Sequence, residues 1–204
     1  MKVTNKPDFE VSDSAVKTAT AKTFQEWFTE LDGINGLKLG RRESVQHIYA
    51  QTKDIWWSTT IYVEYEKHHG ILKKDGLSEG YSICVTKSIS APVEKTYSIW
   101  VDGSTFSQMF GDDGKQEVTE GGKIACNGGC TGTFLRVRPN KDLRFTWEHP
   151  GCTAAMTVDV MFQDNKGKTL MNVMTSRIQT RGESDGLRDA WSEALVRLKA
   201  MAEK

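Results

Sequence analysis

Asp185-Gly-Leu-Arg-Asp-Ala-Trp191-Ser-Glu-Ala-Leu195-Val-Arg-Leu198-Lys-Ala-Met201-Ala-Glu203 is the stretch whose reading decides the fold. Leu187, Trp191, Leu195 and Leu198 recur at helical spacing, joined by Ala194, Met201 and Ala202. Arg188, Asp189, Glu193, Arg197 and Lys199 populate the opposite face. The spacing predicts an amphipathic helix over 185–203, capped by Ser184 or Asp185, and about 27 Å long at 1.5 Å per residue. Upstream the period changes to two. Strands are expected over 81–86, 131–138, 143–148, 153–162 and 169–179. Pro139-Asn140, Pro150-Gly151 and Asn165-Lys166-Gly167 supply the turns. Residues 93–102 read as a short helix, and the Gly-rich stretch 103–133 as turns and irregular strand. A sheet with one face covered by a long terminal helix is an α+β arrangement.

The N-terminal third reads as helical. Thr23-x-x-Glu26 matches a capping box, with Phe24, Trp27, Phe28 and Leu31 following as a stripe. A second helix is expected from Arg41 to about Gln51. Asp54 caps a third segment that the residues alone leave open, because Ile61, Val63 and Tyr65 also alternate like a strand. The expected organisation is a flexible tail over 1–20, a helical segment over 21–78 and a main domain over 79–204.

Composition narrows the function classes. Lys+Arg and Asp+Glu are both 27, so no basic footprint argues for nucleic acid or an anionic membrane. No stretch reaches the roughly 18 apolar residues of a membrane span, and residues 1–22 lack the apolar core of a secretory signal. The expected location is cytoplasmic, where Cys84, Cys126, Cys130 and Cys152 stay as thiols. Cys126-Asn-Gly-Gly-Cys130 has C-x3-C rather than C-x2-C spacing, and reads as a Gly-rich connection rather than a zinc or redox centre. His68 and His69 are adjacent and point apart on a helix, and His149 sits at a turn expected to face solvent. No phosphate-cradling or nucleophile-elbow motif occurs. No metal, cofactor or catalytic residue is expected. Asp159 and Arg144 alternate with the large apolar residues of their strands, which points them outward as a cross-strand pair.

Three motifs in order carry a resemblance. Ile89-Ser-Ala-Pro92-Val-Glu-Lys-Thr-Tyr97-Ser-Ile-Trp100-Val-Asp102 resembles the opening strand and helix of START-like (SRPBCC) proteins. Leu143-Arg-Phe-Thr-Trp147-Glu resembles their mid-sheet strand, and Gly186 to Leu195 their closing helix. The branch it resembles is the C-terminal-domain type of the heat-shock-protein-ninety ATPase activator homologue, over roughly 80–204. Residues 21–68 resemble a small helical segment found ahead of such domains, which favours helix for the open third segment. The resemblance implies a helix-grip fold: a curved antiparallel sheet around the C-terminal helix, with a cavity between them for an apolar molecule. Strand alternation and helix spacing give the expected lining of such a cavity as Trp100, Phe145, Trp147, Met156, Val158, Met174, Leu187 and Trp191. The expected function is a binding protein for an apolar small molecule. The alternatives are a chaperone-linked protein and a cyclase- or hydrolase-like enzyme of the same fold. Oligomeric state stays open, a homodimer included.

Overall fold

A computed structural model describes residues 1–111 and 113–204. The chain divides into two compact units, one formed by residues 7–81 and the other by residues 1–6 together with 82–204.

The first unit holds five helices: α1 (Asp13–Thr20), α2 (Phe24–Gly33), α3 (Gly36–Leu39), α4 (Arg41–Thr52) and α5 (Ile55–His68). The Thr23–Glu26 capping box forms at the start of α2, and Asp54 caps α5 through the Trp57 N–H at 3.0 Å. The open third segment is therefore helix. Its aromatic residues explain the outcome: Trp57, Ile61, Tyr62 and Tyr65 are buried against Trp27, Phe28, Leu31 and Ile48, which a strand could not present on one stripe. The polar ends of these rings are satisfied locally. Trp27 Nε1 donates to Thr20 Oγ1 at 2.9 Å, and the Tyr65 hydroxyl donates to Asp32 Oδ1 at 2.7 Å.

The expected flexible tail over 1–20 is corrected. Ser12 caps α1, whose Val16 is fully buried in the helical core, and residues 1–6 belong to the other unit. A short polar segment lacking an apolar run still orders when single residues such as Val16 and Met1 are buried.

The second unit is α+β. Its strands are β1 (Tyr81–Ile89), β2 (Gly114–Gln116), β3 (Lys123–Cys126), β4 (Thr131–Arg138), β5 (Asp142–Glu148), β6 (Met156–Asn165) and β7 (Lys168–Ile178). They form one curved antiparallel sheet in the order β1-β7-β6-β5-β4-β3-β2. Between β1 and β2 lie α6 (Val93–Val101) and α7 (Gly103–Phe110), and α8 (Arg181–Ala202) closes the chain. The helix-grip arrangement inferred from the closing stretch is present. Among the described residues no helix is long and apolar enough to cross a membrane.

Two local readings are revised. Helix α8 begins at Arg181, four residues early, because Thr180 rather than Ser184 or Asp185 is the cap. Thr180 and Glu183 form a second capping box. Glycines at 182 and 186 disguised that first turn as loop. Gly186 has a packing reason: a Cβ there would lie 2.2 Å from the Thr4 carbonyl oxygen. Gly186→Ala should leave α8 helical, since alanine is the better helix former, yet expel residues 1–6 from its surface. Trypsin should then cut after Lys2 several-fold faster than in the wild type. Unchanged cleavage would show that the segment does not rest on this glycine. The second revision is α7, which falls in the stretch read as irregular. Asp102 accepts from the N–H groups of Ser104 and Thr105, and Gly111 closes the helix in the left-handed region at φ 65°.

Candidate functional site: the sheet–helix interior

Strand alternation and register build the inner wall. On β5, Phe145 and Trp147 point inward while Arg144, Thr146 and Glu148 point out. Register places Val158 opposite Phe145 and Met156 opposite Trp147. Helix α8 adds Leu187 and Trp191 one turn apart, and α6 adds Trp100. These seven residues are all buried. Met174 is not among them: it is 37% exposed, on the outer face of β7. Val173 and Thr175 take the inward positions of that strand, so the two-residue period puts Met174 opposite the outward Asp159.

The interior is densely aromatic. The Trp100 and Trp191 rings stack with centroids 6.2 Å apart, and Trp147 lies 6.4 Å from Trp191. Phe110 of α7 contacts Trp147 at 5.6 Å and Trp191 at 5.5 Å. Phe110 was missed in the sequence, although Phe106, Met109 and Phe110 sit at helical spacing between an Asp cap and a Gly stop.

Polar atoms interrupt this apolar wall. Among the described residues, Trp147 Nε1, Trp191 Nε1, Thr175 Oγ1 and Ser184 Oγ are buried with no hydrogen-bond partner. Leaving such a group unpaired costs about 1–3 kcal/mol, so native interiors keep few of them. Here four gather on the inner sheet face and the buried side of α8.

The outer face is ionic, as the alternation of Asp159 and Arg144 requires. Arg144 grips Asp159 bidentately at 2.7 and 2.8 Å, and Arg136 bridges Asp159 to Asp142 at 3.4 and 2.7 Å. Arg138 also pairs with Asp142. Both carboxylates are buried beneath guanidinium groups, which makes this ladder a structural fastening across β4, β5 and β6.

A family model described as activator of Hsp90 ATPase homolog 1-like protein matches residues 90–203, more than half of the chain. The chain belongs to this family. Solved structures share the fold at low identity. CalU16 from Micromonospora echinospora is 23% identical, with a TM-score of 0.54 over 59% of this chain and 75% of that one. PFC0360w, an HSP90 activator from Plasmodium falciparum, is 18% identical, with a TM-score of 0.53 over 60% and 96%. CV1439 from Chromobacterium violaceum is 18% identical, with a TM-score of 0.53 over 60% and 97%. No curated protein matches the chain.

This member of the activator-homolog family also gathers thiols at one end of its sheet. Cys126 and Cys130 are buried, Cys152 is half-buried, and Cys84 stands apart as an exposed thiol on β1. His149 does not face solvent as expected. It is half-buried, with Nε2 2.8 Å from the Met1 carbonyl oxygen and Nδ1 accepting from the Gly151 N–H at 2.9 Å. Cys130 and Cys152 lie close enough to its ring to favour the protonated form. Among the described residues, no group of three or more His, Cys, Asp or Glu is placed to hold a metal ion.

Proposed function

We propose that this chain is a binding protein for a mainly apolar small molecule that carries a hydrogen-bond acceptor, held between the inner sheet face and α8. The observation that carries the reading is the group of buried, unpartnered polar atoms in an otherwise aromatic wall, above all the indole N–H groups of Trp147 and Trp191. Indole nitrogen is a donor only. A carbonyl, ether or carboxylate oxygen on the ligand would accept from it, while Thr175 and Ser184 can donate or accept. The surrounding rings supply the apolar surface that such sites use for affinity, with the few polar groups fixing orientation. Four free cysteines fit a cytoplasmic setting for this role.

The test is a thermal-shift and tryptophan-fluorescence screen with fatty acids, sterols and aromatic polyketides, run on the wild type and on Met156→Trp. A binder should raise the melting temperature with occupancy and quench Trp emission. Met156→Trp, which fills space beside Trp147, should abolish both responses. If no compound shifts the wild type and Met156→Trp is merely destabilised as an overpacked core would be, the interior is solid and the reading fails.

A second reading is support for the family description itself and for the relative that is an HSP90 activator: a chaperone-linked protein. It would be favoured by a salt-sensitive complex with a heat-shock-protein-ninety chaperone that survives Met156→Trp.

A further inference from the structure

We propose that the free edge of β1 is a surface on which two copies of this chain pair, β1 against β1, antiparallel about a two-fold axis at Cys84. The surface lies outside the aromatic interior and stands independently of the ligand reading.

Backbone geometry defines the free edge. β1 and β2 are the two end strands of the sheet, and β7 is the only strand beside β1. Thr86 Oγ1 donates to Asn172 Oδ1 of β7 at 2.6 Å across that seam. The opposite side of β1 is marked by two side chains from the C-terminal end of α8. Lys199 Nζ donates to the Ser88 carbonyl at 3.0 Å, and Glu203 accepts from the Ser90 N–H at 2.6 Å. In an antiparallel ladder a residue turns its N–H and C=O to the same side, and every second residue turns the same way. The backbone groups of Ser82, Cys84 and Thr86 therefore point with those of Ser88, away from β7. α8 covers the edge at Ser88 and Ser90, whereas Ser82, Cys84 and Thr86 stay exposed.

This open stretch carries neither of the sequence devices that keep sheet edges apart. Ser82-Ile-Cys-Val-Thr86 holds no charge and no proline. Its β-branched Ile83, Val85 and Thr86 favour extended backbone. The other end strand is protected differently: β2 is three residues long with Lys115 at its centre.

A second copy fits the stretch because the stretch is complementary to itself. With the two-fold axis at Cys84, each Ser82 lies opposite the other copy's Thr86, and Cys84 lies opposite its own counterpart. These are hydrogen-bonded pairs, each exchanging two backbone bonds. Ile83 and Val85, both buried on the inner sheet face, meet across the seam as apolar neighbours. No like charges come together. The two Lys87 side chains stand at opposite ends of the ribbon, roughly 20 Å apart at about 3.4 Å per residue, beyond the Debye length of physiological salt. A groove of about 340 Å³ runs beside the edge, between β1 and α8, with Val85, Ser192 and Val196 in its wall. Val196 is 51% exposed there. The two-fold sets the grooves of both copies side by side on one sheet face, where each Val196 gains apolar cover. A seam over residues 82–86 falls short of the roughly 20–30 residues a side of a stable complex. The pairing is therefore reversible and governed by concentration.

Sedimentation-velocity ultracentrifugation of the reduced full-length protein over a dilution series should show dimer at high concentration and monomer on dilution. Cys84 reports the register. Hydrogen-bonded partners have Cα atoms about 5.5 Å apart, within the roughly 4.4–6.8 Å that a disulfide spans. Copper phenanthroline with dissolved oxygen should therefore link two chains through Cys84, and Cys84→Ser should lose the link while still sedimenting as a dimer. Cys84→Lys sets two like charges opposite each other at the axis and should lose the dimer without a change in melting temperature. Mixing Cys84→Lys with Cys84→Glu should restore it as a heterodimer. A wild type that stays monomeric at every concentration, a dimer linked through Cys152 instead, or a Cys84→Lys dimer as strong as the wild type would overturn the assignment.

Discussion

Trp191→Ala is expected to destabilise the second unit by about 3–5 kcal/mol, the range for deleting a fully buried large ring. For a unit of this size that corresponds to a fall in melting temperature of roughly 10–20 °C. Trp191 is fully buried and meets three other rings: it stacks on Trp100, meets Phe110 edge-on and lies against Trp147. It is the point at which α6, α7, α8 and the sheet converge. Alanine leaves a hole that four elements of fixed backbone cannot all collapse into. Differential scanning calorimetry measures the effect, and a loss below about 1 kcal/mol would remove Trp191 from the core.

Phe110→Ala should cost a comparable amount, about 3–5 kcal/mol. Its ring touches Phe106, Trp100, Trp147 and Trp191. It sits on the last turn of α7, a helix of eight residues that owes its stability to packing rather than to propensity. Losing the ring should therefore unfasten α7 as well. Fast amide exchange over residues 103–110, with β5 and β6 still protected, would be the signature. Retention of α7 protection would show that Phe106 and Met109 suffice to dock it.

The contrast between these two residues shows what the sequence discloses. Trp191 lies in a long amphipathic run whose period is unmistakable, so both the helix and its buried face could be read directly. Phe110 belongs to two turns of helix enclosed by glycines, and its Asp102 cap and Gly111 stop were outweighed by composition. Alternation placed Phe145, Trp147, Met156 and Val158 inward and Asp159 outward, because a strand of period two admits only two facings. The same rule failed for Met174 only because the phase of β7 was not fixed: a shift of one residue exchanges Met174 with Thr175. The thiol–imidazole cluster was illegible for a different reason. Cys130, His149, Cys152 and Met1 come from three separate stretches of chain, and nothing local in any of them announces the others. The polar character of the interior was likewise hidden, since an indole N–H without a partner is a property of packing, not of spacing.

The most direct test of the central claim is native mass spectrometry of the purified full-length protein, wild type beside Trp147→Phe. The substitution keeps an aromatic ring on β5 and removes one unpartnered N–H. The expected result is a wild-type species carrying a small organic molecule that extraction releases, and an affinity at least roughly tenfold weaker in Trp147→Phe, the worth of one well-made hydrogen bond. A wild type that flies bare and takes up no apolar acceptor-bearing compound, or one whose bound molecule is held equally by Trp147→Phe, would contradict it.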